Sequence, residues 1–167
     1  MRRSRAVAAA TSLTVGVLAV AIVGWLASPS IARTQIQVLD REGPYEKDVD
    51  LGKVGTSPGD VSFESHPLVD PSDGTTVVGR DFERVTIFKV LSGGRDLDFV
   101  YDSTLRLSGS DIVVYGEGRY SDIFTPDGVT ISVVGGTGVF EGASGTATVA
   151  ATENDGEFLI TIDLIAP

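Results

Sequence analysis

The sequence predicts an all-β fold, an eight-stranded antiparallel up-and-down β-barrel, and three observations carry that expectation. Beyond residue 33 no ten-residue window shows helical periodicity, whereas short alternating runs recur throughout. Asp-Gly and Ser-Gly pairs punctuate those runs, and short links imply antiparallel neighbours. Several runs are apolar on both faces: Val113 with Val114, Phe99 with Val100, Val133 with Val134, and Leu159 with Ile160. A two-sheet sandwich would leave each strand one polar side, so a barrel with a filled interior and an outside covered by other subunits fits better.

The chain opens on a segment that is set apart from the fold. Met1 to Arg5 is basic, Ala6 to Leu26 is apolar without an acidic residue, and Ser30-Ile31-Ala32 offers a small-x-small cleavage pattern. The expected reading is a signal peptide over residues 1–32, cut after Ala32, which makes the protein secreted or extracellular. The alternative is an uncleaved anchor, since about 20 apolar residues span a bilayer; membrane contact would then come through this segment alone. A single domain follows, over residues 33–167.

Within it the first strand is expected from Thr34 to Asp40. Residues 41–59, rich in charge, Pro and Gly, read as a long loop near the barrel mouth. Strands follow from Val61 to Val69 and from Thr76 to Leu91, each split or bulged, with the turn Ser72-Asp73-Gly74 between them. Ser92-Gly93-Gly94 leads to Asp96 to Leu107, and Ser108-Gly109-Ser110 leads to Asp111 to Ser121. Pro126-Asp127-Gly128 precedes Val129 to Val134, and Thr146 to Thr152 alternates small and β-branched residues. Asn154-Asp155-Gly156 turns the chain into Glu157 to Ile165. In these turns Gly accepts positive φ and Asp hydrogen-bonds the turn backbone.

Charge and composition narrow the function. Setting Arg2, Arg3 and Arg5 aside leaves 10 basic residues against 23 acidic ones, a net −13 beyond the leader. That balance argues against nucleic acid or anionic membranes as partners, and its plain reading is solubility outside the cell. Cysteine is absent, so neither disulfides nor thiolates contribute, and stability must come from core, sheet or oligomer contacts. No His or Cys cluster suggests a metal, and no cofactor motif is present. Gly136 and Gly138 look like a dinucleotide loop, but Glu141 breaks the pattern and a strand follows.

Three stretches together carry a resemblance: "GDVSFESHPLVDPSDGTTVVGRDFERVTIF", "SDIVVYGEGRY" and "ISVVGGTGVFEGASGTATV". In order and spacing, over Gly59 to Val149, they resemble the allene oxide cyclase and dirigent barrels. The resemblance implies an eight-stranded antiparallel barrel, a homotrimer, and an apolar cavity that binds a small molecule. It makes Gly135, Gly136 and Gly138 barrel-corner glycines. The chain departs from the plant members in having Gln35 and Gln37 near the place of a first-strand glutamate. It also has Glu141 where dirigent proteins carry arginine after the aromatic, and His66 where they carry an acidic residue before Pro-Leu.

His66 is the leading candidate for chemistry, because its ordinary pKa near 6.5 suits acid or base work. Glu64 shares its face; the pair either points inward as a catalytic couple or outward as a solvated edge. On the fifth expected strand Tyr115 and Glu117 share a face, and inside a cavity they would offer a substrate-binding hydroxyl and a catalytic carboxylate. Outside, Glu117 and Arg119 would be surface decoration. Phe140 is a candidate substrate contact, and Glu83 and Asp163 are further carboxylates in alternating strands. Two functions follow: an exported isomerase or cyclase for an apolar small molecule, or a non-catalytic barrel that binds one or serves structurally.

Overall fold

The computed structural model describes residues 33–91, 94 and 96–165. The expected leader therefore lies outside the described residues, as does most of the Ser92-Gly93-Gly94 turn. Nine strands run antiparallel to their neighbours in the order β1-β9-β8-β7-β6-β5-β4-β3-β2. They are β1 (Arg33–Arg41), β2 (Tyr45–Val49), β3 (Val61–Val69), β4 (Val77–Val90), β5 (Leu97–Leu107), β6 (Ser110–Arg119), β7 (Val129–Gly136), β8 (Ser144–Ala151) and β9 (Glu157–Ile165). β1 also pairs with β3, at Leu39 with Val69 and Asp40 with Leu68, and this closes eight strands into a barrel.

The ninth strand is β2, which falls inside the segment expected to be loop. It continues the β3 edge where β1 leaves it, pairing Tyr45 with Ser65 through Val49 with Val61. Charged Glu46, Lys47 and Asp48 hid it, since strand patterns are sought in apolar runs. Pro67, which offers no ladder donor, falls between the end of the β2 pairing and the start of the β1 pairing. Of the two strands expected to be split or bulged, only β4 is, with Val78 extra opposite Leu68/Val69 and Phe88 extra between Ile87 and Lys89; β3 runs without an extra residue. The turns adopt the conformation that their composition demands: Gly74, Gly128 and Gly156 all have φ between +61° and +67°.

Alternation decides which side chains enter the barrel. Along β5, Phe99, Tyr101, Ser103, Leu105 and Leu107 are buried, while the residues between them are not. Leu105, Ile112, Val114, Ala147, Ile160 and Ile162 fill one end of the barrel almost without solvent contact. At about 25 cal/mol per Å² of apolar surface, this packed end supplies most of the driving force for closure. The doubly apolar pairs are split across the wall: Val114 and Val133 lie in the core, Val113 is half-buried and Val134 is exposed.

The glycine-rich passage after β7 differs in detail from the expectation. Gly138 has φ +61° and packs against Ser110, and a side chain at Gly136 would collide with the Phe140 and Asp111 carbonyls. Gly135 faces open space at an ordinary φ, so nothing in its surroundings demands glycine. Inside the barrel, Gly116 and Gly118 matter more. A Cβ there would run into Ile131 and Val129, so the bare backbone lets those two side chains seat across β6.

Candidate functional site

Opposite the packed end, the barrel is hollow. A cavity of about 610 Å³ opens there, within the range of small-molecule sites. Its walls are apolar and aromatic, with Val85, Ile87, Leu97, Phe99 and Ile123 contributing from β4, β5 and the 3-10 turn Tyr120–Phe124. Its floor is polar and is built by strand parity. Asp40 continues the inward face of Ile36 and Val38; Glu64 and His66 continue that of Leu68; Asp81 and Glu83 continue that of Val85. Register then brings them together, since His66 stands opposite Asp81 and Glu64 opposite Glu83.

His66 is buried, with 4% of its surface exposed. Its Nδ1 lies 3.1 Å from Asp40 Oδ1 and its Nε2 lies 3.2 Å from Glu64 Oε2. The Asp40 contact is a charge contact without hydrogen-bond alignment, and neither atom has another partner. Burial alone would lower the imidazole pKa, but Asp40 and Glu64, with Glu83 behind them, override it and push it up to about 11. His66 is therefore an imidazolium near neutral pH. The two carboxylates thus favour the protonated imidazole, the acid form of the two roles expected of it.

The carboxyls around it diverge. Glu64 is held below its ordinary range, chiefly by His66, with help from Ser62. Glu83 is pushed well above it by burial and by the neighbouring carboxylates Asp81 and Asp40. Burial likewise raises Asp81 to about 7, and it raises Asp40. The Tyr101 hydroxyl lies 2.8 Å from Glu83 Oε2 and 3.1 Å from Asp81 Oδ2. One phenol proton can satisfy only one of them, so the other contact is a hydrogen bond only if that carboxyl carries its own proton. Ser103 Oγ donates to the remaining oxygen of Asp81. Geometry and burial thus agree that the Asp81–Tyr101–Glu83 chain holds an acid proton at the cavity floor.

Asp40, His66 and Glu83 each offer a ligand atom within 4.8 Å of the others, and they are the residues that could hold a metal ion among those described. A cation there would first have to displace the imidazolium proton, and the mechanism below does not use one.

The other expected site residues fall elsewhere. Tyr115 and Glu117 are exposed on the outer wall of β6, because inward parity on that strand belongs to Ile112, Val114, Gly116 and Gly118. Phe140 sits in the short 3-10 turn Gly138–Phe140, packed against the filled core, and does not line the cavity. Asp163 accepts from Gln35 on the outer face. Asp40, Asp81, Tyr101 and Ser103 were not singled out from the sequence, although each keeps step with the inward apolar residues of its own strand.

No protein-family profile and no curated protein matches the sequence. Solved structures are similar in fold. A pyocyanin demethylase superposes with a TM-score of 0.64 at 21% identity, covering 78% of this chain and 99% of its own. A pterocarpan synthase dirigent protein gives 0.60 at 19%, covering 80% and 83%. An exo-specific intermolecular Diels-Alderase gives 0.57 at 17%, covering 81% and 99%. The chain thus shares its barrel fold with a demethylase, with dirigent proteins and with Diels-Alderase and cyclase barrels.

Proposed function

From this barrel architecture we propose that the protein is an isomerase or cyclase that takes an apolar-bodied small molecule into its cavity and moves one proton across it. The single observation that supports this reading is the divergence of Glu64 and Glu83. They stand opposite each other across β3 and β4, the His66 side pulling the Glu64 pKa down and burial pushing that of Glu83 up. Paired groups whose environments push their pKa values apart are suited to base and acid roles. Glu83 donates its proton to the substrate and Glu64 removes another, so the substrate rearranges without net gain or loss. The proton that Glu64 takes up passes back to Glu83, its neighbour across the two strands, so base and acid are both reset; Tyr101 holds Glu83 in place, and His66 favours the ionised form of Glu64. Proximity in a closed apolar cavity lowers the barrier further, by up to about 7–11 kcal/mol in favourable cases. The basic and apolar leader supports export, and the half-apolar outer wall supports assembly into a homotrimer.

The test is native mass spectrometry of the protein before and after incubation with a lipophilic extract of the cells that make it. A bound mass that is released as an isomer, with the conversion slowed about 100-fold or more in Glu83→Gln, is the expected result. A bound mass that is never converted would replace catalysis with carriage. Absence of any bound mass would leave a structural barrel.

A further inference from the structure

The cavity described above carries a charge pattern that an uncharged ligand would not need. On its inner face Glu46 of β2 stands opposite Glu64 of β3, which stands opposite Glu83 of β4. Three carboxyls therefore line up in one row across three strands. Like charges placed directly opposite each other destabilise a sheet. Protonation of Glu83 relieves one end of the row only. Around the mouth, Glu42, Asp48, Asp50 and Asp60 add further carboxylates, while no Lys or Arg lines the cavity among the described residues.

Among the described residues, arginines are paired on the other side of the wall. Arg84 pairs with Asp102, Arg106 with Asp111 and Arg119 with Asp98, all on outward-facing positions. The acids inside are thus left without basic partners by construction, apart from the one imidazolium. Asp40 lines the floor with 3% exposure, and its Oδ1 has no hydrogen-bond partner. Yet the walls between mouth and floor are apolar and aromatic, and the volume is far larger than a metal ion and its ligands require.

We propose that the ligand is a lipophilic organic cation: an aromatic or hydrocarbon body bearing a protonated amine or quaternary nitrogen. The body fills the space between Val85, Ile87 and Phe99, and the positive nitrogen lies against the Glu46–Glu64 row. The acidic mouth raises the local concentration of such a cation and repels anions. This inference rests on the proposed small-molecule reading and narrows its substrate class.

The experiment is isothermal titration of the full chain with three probes of one shape: N-methylquinolinium, neutral 1-methylnaphthalene and anionic 1-naphthoate. The cation should bind about tenfold or more tighter than the neutral probe at low salt, and the anion should not bind. The preference should fall to within about threefold in 0.5 M salt and in the rim variant Glu42→Gln/Glu46→Gln/Asp48→Asn, whose substitutions lie at exposed positions. Neutral and cationic probes binding equally would overturn the cation inference and leave the cavity reading standing. So would a preference that survives in the rim variant. No binding of any probe would overturn both.

Discussion

The two ends of the barrel are built from the same strands and obey opposite rules. At the packed end β5 contributes Leu105 and Leu107, β9 contributes Ile160 and Ile162, and the interior is dry. At the hollow end β5 contributes Tyr101, β3 contributes Glu64 and His66, and β4 contributes Glu83 around a cavity, with the fully buried Asp81 behind Tyr101. The difference teaches that one end holds the fold, and the other spends some of that stability on burying charge. Each inward carboxyl costs desolvation that only the imidazolium, a neighbouring hydroxyl or a retained proton offsets.

The comparison breaks most sharply at His66. His66→Leu keeps the volume filled but leaves Asp40 and Glu64 without their positive partner, and removing one member of a buried pair costs about 3–5 kcal/mol. That loss should be seen by urea denaturation at pH 8. It should shrink as pH falls, because burial raises the Asp40 pKa and a protonated Asp40 no longer needs the partner. The unmodified protein should show a related trend. The folded pKa of His66 is about 11 against 6.5, so its stabilisation is complete below pH 6.5 and disappears as pH rises through about 11. Asp81 has its folded pKa raised to about 7 from 3.8, so its contribution is present below about pH 3.8 and is lost as pH rises through 7. Thermal midpoints should therefore fall from pH 5 to pH 8, and Asp81→Asn should flatten the part of that slope below pH 7.

A next test sets one residue of each end against the other. Leu105→Ala, at a site with no solvent contact, should cost about 2–5 kcal/mol. Val85→Ala, at a half-buried wall position beside existing space, should cost less than about 1.5 kcal/mol and enlarge the cavity. Equal losses would mean that the hollow end is as tightly packed as the other. The smallest expected effect is on the outer wall. Tyr115→Phe and Glu117→Gln should each stay within about 0.5 kcal/mol of the parent stability and leave ligand binding unchanged, in titrations of the kind described above.

Which parts were readable in advance follows from the range of the forces involved. The strands beginning at Val61, Val129 and Glu157 declared themselves through alternation and turn residues, which are local signals. β2 did not, because Glu46, Lys47 and Asp48 form a strand only where the β3 edge is free to receive them. His66 and Glu64 were legible as a couple on one face, but whether that face looks inward was not. Nothing near His66 in the chain announces Asp40, which comes from β1, or Glu83, which comes from β4.

By itself the sequence determined an all-β barrel, most of its strands and its turns, because side-chain alternation and glycine φ are properties of neighbouring residues. Only the tertiary structure decided that Asp40, His66, Asp81 and Glu83 meet at one level of the barrel. It likewise decided that Tyr115 and Glu117 face away from it and that His66 is charged. Register and closure join positions far apart in the chain, and a pKa is set by whichever charges that closure brings within a few ångströms.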